Sequence, residues 1–185
     1  MSTKSTLLRE FFVTLLLATV IYVGLNISLQ NSIVVGRSME PNLHTGERVL
    51  ISKLSYVFGV KPKRGDVIVF EPPGYTSSDS DFVKRVIGLP GEEVIISNGY
   101  VHIIQTDGVE IILDESAYLD QITLGSYRSG VIPDGHYFVM GDNRINSSDS
   151  RGGWTVPKSD IAGRAWVVIW PPSKWGLAPN HKTGE

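Results

Sequence analysis

The chain has 185 residues and a mass of 20.3 kDa, enough for one domain with a core of its own. With 17 Lys+Arg against 19 Asp+Glu and a pI of about 6.1, it has no electrostatic footprint for nucleic acid. The absence of cysteine excludes disulfide frameworks, thiolate zinc sites and a Cys nucleophile, and four scattered histidines (His44, His102, His136 and His181) form no visible metal-ligand cluster.

Asp, Glu, Lys, Arg and His are all absent from Phe11 to Gly36. Within that run Phe11–Leu29 has 14 apolar residues in 19, and a helix of this length rises about 28 Å, close to the hydrocarbon thickness of a bilayer. A cleavable signal peptide has a shorter apolar region, roughly 7–15 residues, although Val34 and Gly36 would suit the −3 and −1 positions of a cleavage site. A buried core helix would carry a polar stripe, and none runs along this segment. Residues 11–30 therefore read as a retained membrane anchor behind a short cytoplasmic stretch, residues 1–10. Lys4, Arg9 and the terminal amine precede the anchor and only Arg37 closely follows it, so the tendency of positive charge to stay inside puts the rest of the chain outside. Setting aside Lys4, Arg9 and Glu10 leaves 15 Lys+Arg against 18 Asp+Glu, with no polybasic patch for anionic lipid.

After the anchor, short β-branched and apolar runs alternate with Gly and Pro, which predicts strands at Val49–Ser52, Asp66–Phe70, Phe82–Ile87, Val94–Ile96, Tyr100–Ile104, Val109–Leu113, Tyr137–Met140 and Ala165–Trp170. Asn98-Gly99 and Asp107-Gly108 are hairpin signals and Asp134-Gly135 marks another turn. Pro72–Asp81 reads as an exposed loop, and Pro157–Ile161 offers the one helical hint beyond the anchor. All four tryptophans, Trp154, Trp166, Trp170 and Trp175, fall near the C-terminus. Core packing of a terminal strand accounts for them best, with a membrane-interface contact as the sharper alternative.

Three patches carry potential chemistry. Gly36-Arg37-Ser38-Met39-Glu40-Pro41 suits a tight turn with a hydroxyl beside free N–H groups; taken alone, a plain polar turn after a membrane helix is the better reading. In Phe82-Val83-Lys84-Arg85-Val86-Ile87, alternation places Lys84 on one face with Phe82 and Val86. Desolvation there would lower the amine's pKa, unless the chain snorkels to water; Arg85 cannot serve as a base because guanidinium does not deprotonate. Gly141–Arg151 is a dense polar run after a strand, either a solvated loop or a scaffold that fixes a lysine.

In this order behind one N-terminal span, the three patches resemble the type I (leader) signal peptidases, bacterial membrane-anchored Ser/Lys proteases. The resemblance covers nearly the whole chain and includes Gly65-Asp66-Val67-Ile68-Val69-Phe70. It implies a mostly β catalytic domain, residues 31–91 and 132–185, interrupted by an inserted β segment at 92–131. Ser38 is then the nucleophile and Lys84 the general base. Ser147 would hydrogen-bond the lysine amine, Asp149, Arg151, Asp142 and Arg144 would hold the surrounding loop, and Gly141 would let backbone pass close to the pair. The resemblance implies cleavage of exported preproteins after small residues at −1 and −3, beside the lipid bilayer, without cofactor or metal. Shallow apolar pockets near Val34, Gly36, Met39, Leu43, Phe82 and Val83 would exclude large side chains. Asn42 and Glu92 depart from common family choices and are expected to lie away from the chemistry. Gly36 stands where some members place a Ser that helps bind the oxyanion, which leaves more of that role to the Ser38 N–H.

Other readings remain. A Ser/His protease would pair Ser38 with His44, His102 or His136. Self-cleaving repressor-type Ser/Lys peptidases share the chemistry but carry a DNA-binding domain, and a stalked β domain without catalysis would bind exported proteins only.

Overall fold

The computed structural model describes residues 3–57, 59–73 and 81–181, with side chains from residue 7 onward; most of the expected loop at Pro72–Asp81 lies outside these residues. Helix α1, Thr3–Ser28, is apolar on every side, and its Leu7–Ser28 portion has 22 residues with a mean hydropathy of 2.0. At 1.5 Å per residue that portion is about 33 Å long, enough to cross a bilayer. Its polar side chains bring their own partners: Thr19 Oγ1, Asn26 Nδ2 and Ser28 Oγ donate to the carbonyls of Leu15, Tyr22 and Gly24, four residues back.

The helix ends at Ser28 and the chain passes directly into strand β1, Leu29–Ile33. Leu29 and Gln30, expected inside the anchor, are thus already strand. The reason is pairing: β1 lies antiparallel to β2, Arg48–Ser52, with Leu29 opposite Ser52 and Ile33 opposite Arg48.

The remaining strands follow as β3 (Val67–Phe70), β4 (Phe82–Gly88), β5 (Glu93–Ser97), β6 (Tyr100–Ile104), β7 (Glu110–Ile112), β8 (Tyr127–Val131), β9 (His136–Met140), β10 (Val156–Pro157), β11 (Ile161–Trp170) and β12 (Gly176–Leu177). The fold is mostly β, as expected, and all eight predicted strands are present with ends shifted by up to four residues. Asn98-Gly99 joins β5 to β6 with both residues at positive φ, the twist a two-residue hairpin requires. Pro157–Ile161 is not a helix proper: Lys158–Asp160 makes a single 3-10 turn before β11 begins.

Two sheets result. The larger runs β1-β2-β11-β3-β4-β9-β10, with β12 also paired to β11; the smaller runs β7-β6-β5-β8 and is built from Glu93–Val131. Side chains of β5 and β6 pack with Ile87, Ile132, Phe138 and Met140 into one core that ties the smaller sheet to the larger. A second core lies around Met39, Leu43, Val49, Val67 and Ala165, and a third around Ile68, Phe70, Val86, Tyr137 and Val139.

One topological detail positions the site. Strand β4 is paired along Phe82–Arg85 with β3, but β9 covers it only from Arg85 to Gly88. Val83 and Lys84 therefore precede the part of β4 that β9 covers.

Candidate active site

Ser38 stands on a turn whose base is pinned by Val34 N–H to the Glu47 carbonyl and Gly46 N–H to the Val34 carbonyl. A tight turn follows, with the N–H groups of Asn42 and Leu43 donating to the Met39 carbonyl. Met39 and Leu43, at either end of that turn, both plug into the core, which fixes the turn beneath the Ser38 hydroxyl. The other side of the turn is held by the 141–151 loop: Asn143 N–H donates to the Ser38 carbonyl at 2.9 Å and Asn143 Nδ2 to the Arg37 carbonyl at 3.0 Å.

Lys84 reaches this hydroxyl from β4. Its Nζ donates to Ser38 Oγ at 2.8 Å and to the Val83 carbonyl at 3.0 Å. The same-face neighbour predicted from alternation, Phe82, lies with its ring centroid 4.8 Å from Nζ. Lys84 is only 3% exposed, and loss of its water shell pushes its pKa down to about 8 against the opposing pull of Asp149 and Asp142.

Those two carboxylates do not defeat the desolvation because each is occupied by an arginine. Asp142 accepts from Arg85 Nε and Nη2 at 2.8 and 2.7 Å, with both side chains fully buried. Asp149 accepts from Arg151 Nε and Nη2 at 2.8 and 2.9 Å and from the Gly141 N–H at 3.0 Å. Burial alone would raise the Asp149 pKa, but the Arg151 bonds and the Gly141 N–H outweigh it and hold the carboxyl below its usual range. No ion pair to Lys84 forms among the described residues.

Gly141 passes so close that a Cβ there would sit 2.3 Å from Ser147 Oγ and 2.4 Å from the Ser38 carbonyl oxygen. Any side chain at 141 would push the loop off Ser38. Arg144 turns back to donate from Nε to the Gly141 carbonyl at 3.0 Å. Asp142, Asp149, Arg144, Arg151 and Gly141 thus all lie in the loop that borders the Ser38–Lys84 pair.

Several expectations are corrected. Ser147 does not hydrogen-bond Lys84, whose donors go to Ser38 and Val83 instead. The Ser147 hydroxyl lies against Gly141, in electrostatic reach of Asp149 but outside hydrogen-bond geometry with any described group. Val34, Met39 and Leu43 do not line open pockets: at 3%, 1% and 0% exposure they are core residues. The side chains that alternate outward, Ile33 and Val35, are the exposed ones in this stretch, while Gly36 is exposed and Phe82 and Val83 are half-buried. Asn42 is not remote, since its Nδ2 donates to Asp142 Oδ2 at 2.9 Å and to the Tyr118 carbonyl at 2.8 Å. Core packing holds for Trp154 alone, tilted against Phe70 with centroids 6.1 Å apart; Trp166, Trp170 and Trp175 are exposed.

The histidines are engaged away from Ser38. His44 faces Glu47, His102 pairs with Glu110, His136 meets the Thr155 hydroxyl, and His181 stacks on Tyr118. Sequence reasoning missed the structural weight of Arg85, whose one readable signal was a guanidinium inside an apolar strand that could only be buried with a partner.

The family described as signal peptidase, peptidase S26, matches residues 7–170. The chain is 36% identical over 176 residues to the probable signal peptidase I-2 of Synechocystis sp., covering 93% of this chain and 78% of that protein. It is 42% identical over 147 residues to the probable signal peptidase I-1 of the same organism, covering 75% and 70%. Against the signal peptidase I of Mycobacterium tuberculosis it is 34% identical over 228 aligned positions, covering 94% of this chain and 76% of that protein.

Proposed function

The chain belongs to the signal peptidase family, peptidase S26, and from that premise we propose that it is a type I signal peptidase that cleaves exported preproteins with a Ser38/Lys84 dyad. The observation that carries the mechanism is a buried amine 2.8 Å from the hydroxyl it must deprotonate. At a pKa of about 8, roughly a tenth of Lys84 is neutral at pH 7, against well under a thousandth for an ordinary lysine. Neutral Nζ takes the Ser38 proton as Oγ attacks the scissile carbonyl. The Ser38 N–H stabilises the oxyanion in the absence of a hydroxyl at position 36. Protonated Lys84 then delivers its proton to the leaving amine, and water, activated by the same amine, releases the acyl-enzyme.

The substrate strand runs between residues 33–36 and the Val83–Lys84 stretch of β4 that β9 does not cover, adding itself to the sheet. Preference for small residues at −1 and −3 comes from Gly36 and from Val83, which packs on the Met39–Leu43 core, while Phe82 lies on the Lys84 face against Phe70. If this is right, cleavage rises with pH to a plateau with a midpoint near 8, because only the deprotonated amine acts and its folded-state pKa is depressed. A profile of kcat already flat from pH 5 upward would contradict Lys84 as the base.

α1 anchors the enzyme with its N-terminus inside and the β domain at the outer face. The exposed Trp166 and Trp170 lie on β11, Trp175 on the turn to β12 and Leu177 on β12 itself. These rings rest in the lipid headgroup zone. The anchor has no tryptophan, so fluorescence of the whole protein reports only the β domain. In proteoliposomes, lipids brominated near the headgroup should quench about half or more of that emission. Replacing the three exposed tryptophans by phenylalanine should leave a Trp154 signal that bromine does not affect. Equal emission with and without bromine would refute the contact.

A further inference from the structure

The stretch between β7 and β8 belongs to the smaller sheet, yet its side chains reach across to the loop that borders Ser38. The Glu115 carboxylate takes both Nη atoms of Arg144, at 2.9 Å for the Nη1–Oε2 bond. The Thr123 hydroxyl accepts from the same Nη1. Tyr118 donates its hydroxyl to Glu115 Oε1 at 2.8 Å, covers the Arg85 guanidinium with its ring at 4.0 Å, and accepts at its carbonyl from Asn42 Nδ2. Arg85 and Arg144 are the two buried arginines that hold Asp142 and Gly141 in place. One segment of nine residues, Glu115–Thr123, therefore grips both.

We propose that residues 115–123 form a clamp that positions the Ser38–Lys84 pair, with Glu115 and Tyr118 as positioning residues for catalysis. The proposal rests on the Ser/Lys reading above. Its physical basis is the charge and burial of Arg144. A guanidinium that is 5% exposed must keep its donors satisfied, and Glu115 supplies the only carboxylate bonded to it among the described residues. Without that charge Arg144 swings toward water. Its Nε then leaves the Gly141 carbonyl, and the loop that donates Asn143 N–H to the Ser38 carbonyl loosens. The clamp's bonds go to Arg144, Arg85 and Asn42, away from residues 33–36 and Val83, so its loss acts on turnover and not on substrate binding.

The full-length enzyme in detergent with a preprotein substrate tests this through two readouts, steady-state kinetics and amide hydrogen exchange. Glu115→Gln is expected to lower kcat at least tenfold with KM within twofold, and to speed exchange at the Gly141 and Asn143 amides at least tenfold. Glu115→Asp should recover part of both. Arg128→Ala removes an exposed pair with Glu93 on the same sheet and should change neither. If Glu115→Gln does not fold, Thr123→Val carries the same test with an expected threefold effect. A kcat within twofold of the parent, or faster exchange spread evenly over the smaller sheet, would overturn the clamp. Should Lys84→Ala stay active while Glu115→Gln still frees the Asn143 amide, the Ser/Lys mechanism falls and the clamp stands.

Discussion

Replacing Lys84 by methionine should lower kcat by at least about 10⁴-fold and leave the protein more stable at neutral pH. The two effects have one cause. The amine is held at a pKa of about 8 instead of 10.5, so the folded state binds protons less well than the unfolded chain between those values. Stability therefore rises as pH climbs through that window, and below pH 8 the charged Lys84 costs the fold about 3 kcal/mol. Methionine removes that cost and the hydrogen bonds to Ser38 and Val83, each worth about 1 kcal/mol. The balance is a gain of about 1 kcal/mol, or roughly 2–4 °C in melting temperature for a chain of this size. Ser38→Ala should lose activity to the same degree, and the double variant should be no worse than either single one, because the pair works as a unit. Lys84→Arg should be equally inactive, since guanidinium cannot serve as a base. Thermal melts and initial rates on a preprotein decide the matter. An active Lys84→Met enzyme, or one destabilised by more than 1 kcal/mol, would show that the amine is structural.

Asp142→Asn should be the most destabilising conservative change outside the hydrophobic cores. Asp142 and Arg85 form a bidentate pair with no solvent contact on either side chain. Breaking a buried pair from one side costs about 3–5 kcal/mol, because the other charge stays behind. Arg85 would keep its bonds to the carbonyls of Gly65 and Pro179 but have no counter-charge. The same change alters Lys84. Asp142 pulls the amine's pKa upward, so its loss moves the midpoint of the pH–rate profile below that of the parent, while kcat falls as the loop shifts. Arg85→Met combined with Asp142→Leu should regain much of the stability and none of the activity. Urea denaturation with pH-dependent kinetics checks both. A loss under 1 kcal/mol with an unmoved midpoint would mean that the pair neither holds the loop nor tunes the amine.

Much of this architecture can be read from local pattern. β-branched alternation marks eight strands, and the Asn98-Gly99 turn marks a hairpin. Ser38 and Lys84 are found because each lies in a short, distinctive run. What escapes is whatever depends on partners far along the chain. β1 hides because Leu29–Ile33 continues the uncharged run of the anchor, and only its pairing with β2 makes it a strand. β8 hides because Tyr127–Val131 is mostly exposed and contains Gly130, so no apolar alternation survives. Met39 and Leu43 look like pocket walls because they follow Ser38 closely, but the tight turn through Glu40–Asn42 points both into the core. Asn42, Glu115 and Tyr118 carry no motif. Their roles come from bonds that span up to 100 residues of sequence, as in the Asn42–Asp142 contact. The exposed tryptophans invert the usual expectation for aromatic residues in a terminal strand, since β11 is central in the sheet yet turns Trp166 and Trp170 outward.

Helix α1 passes into β1 between Ser28 and Leu29 with no intervening loop. On the proposed reading of α1 as a membrane anchor, the altitude of the scissile bond above the lipid is a dimension of the folded body and not of a slack leash. Like the fence on a bench saw, this junction would then set how far an emerging chain must advance before the blade meets it, so that the place of the cut is measured from the bilayer as well as recognised in the residues beside it.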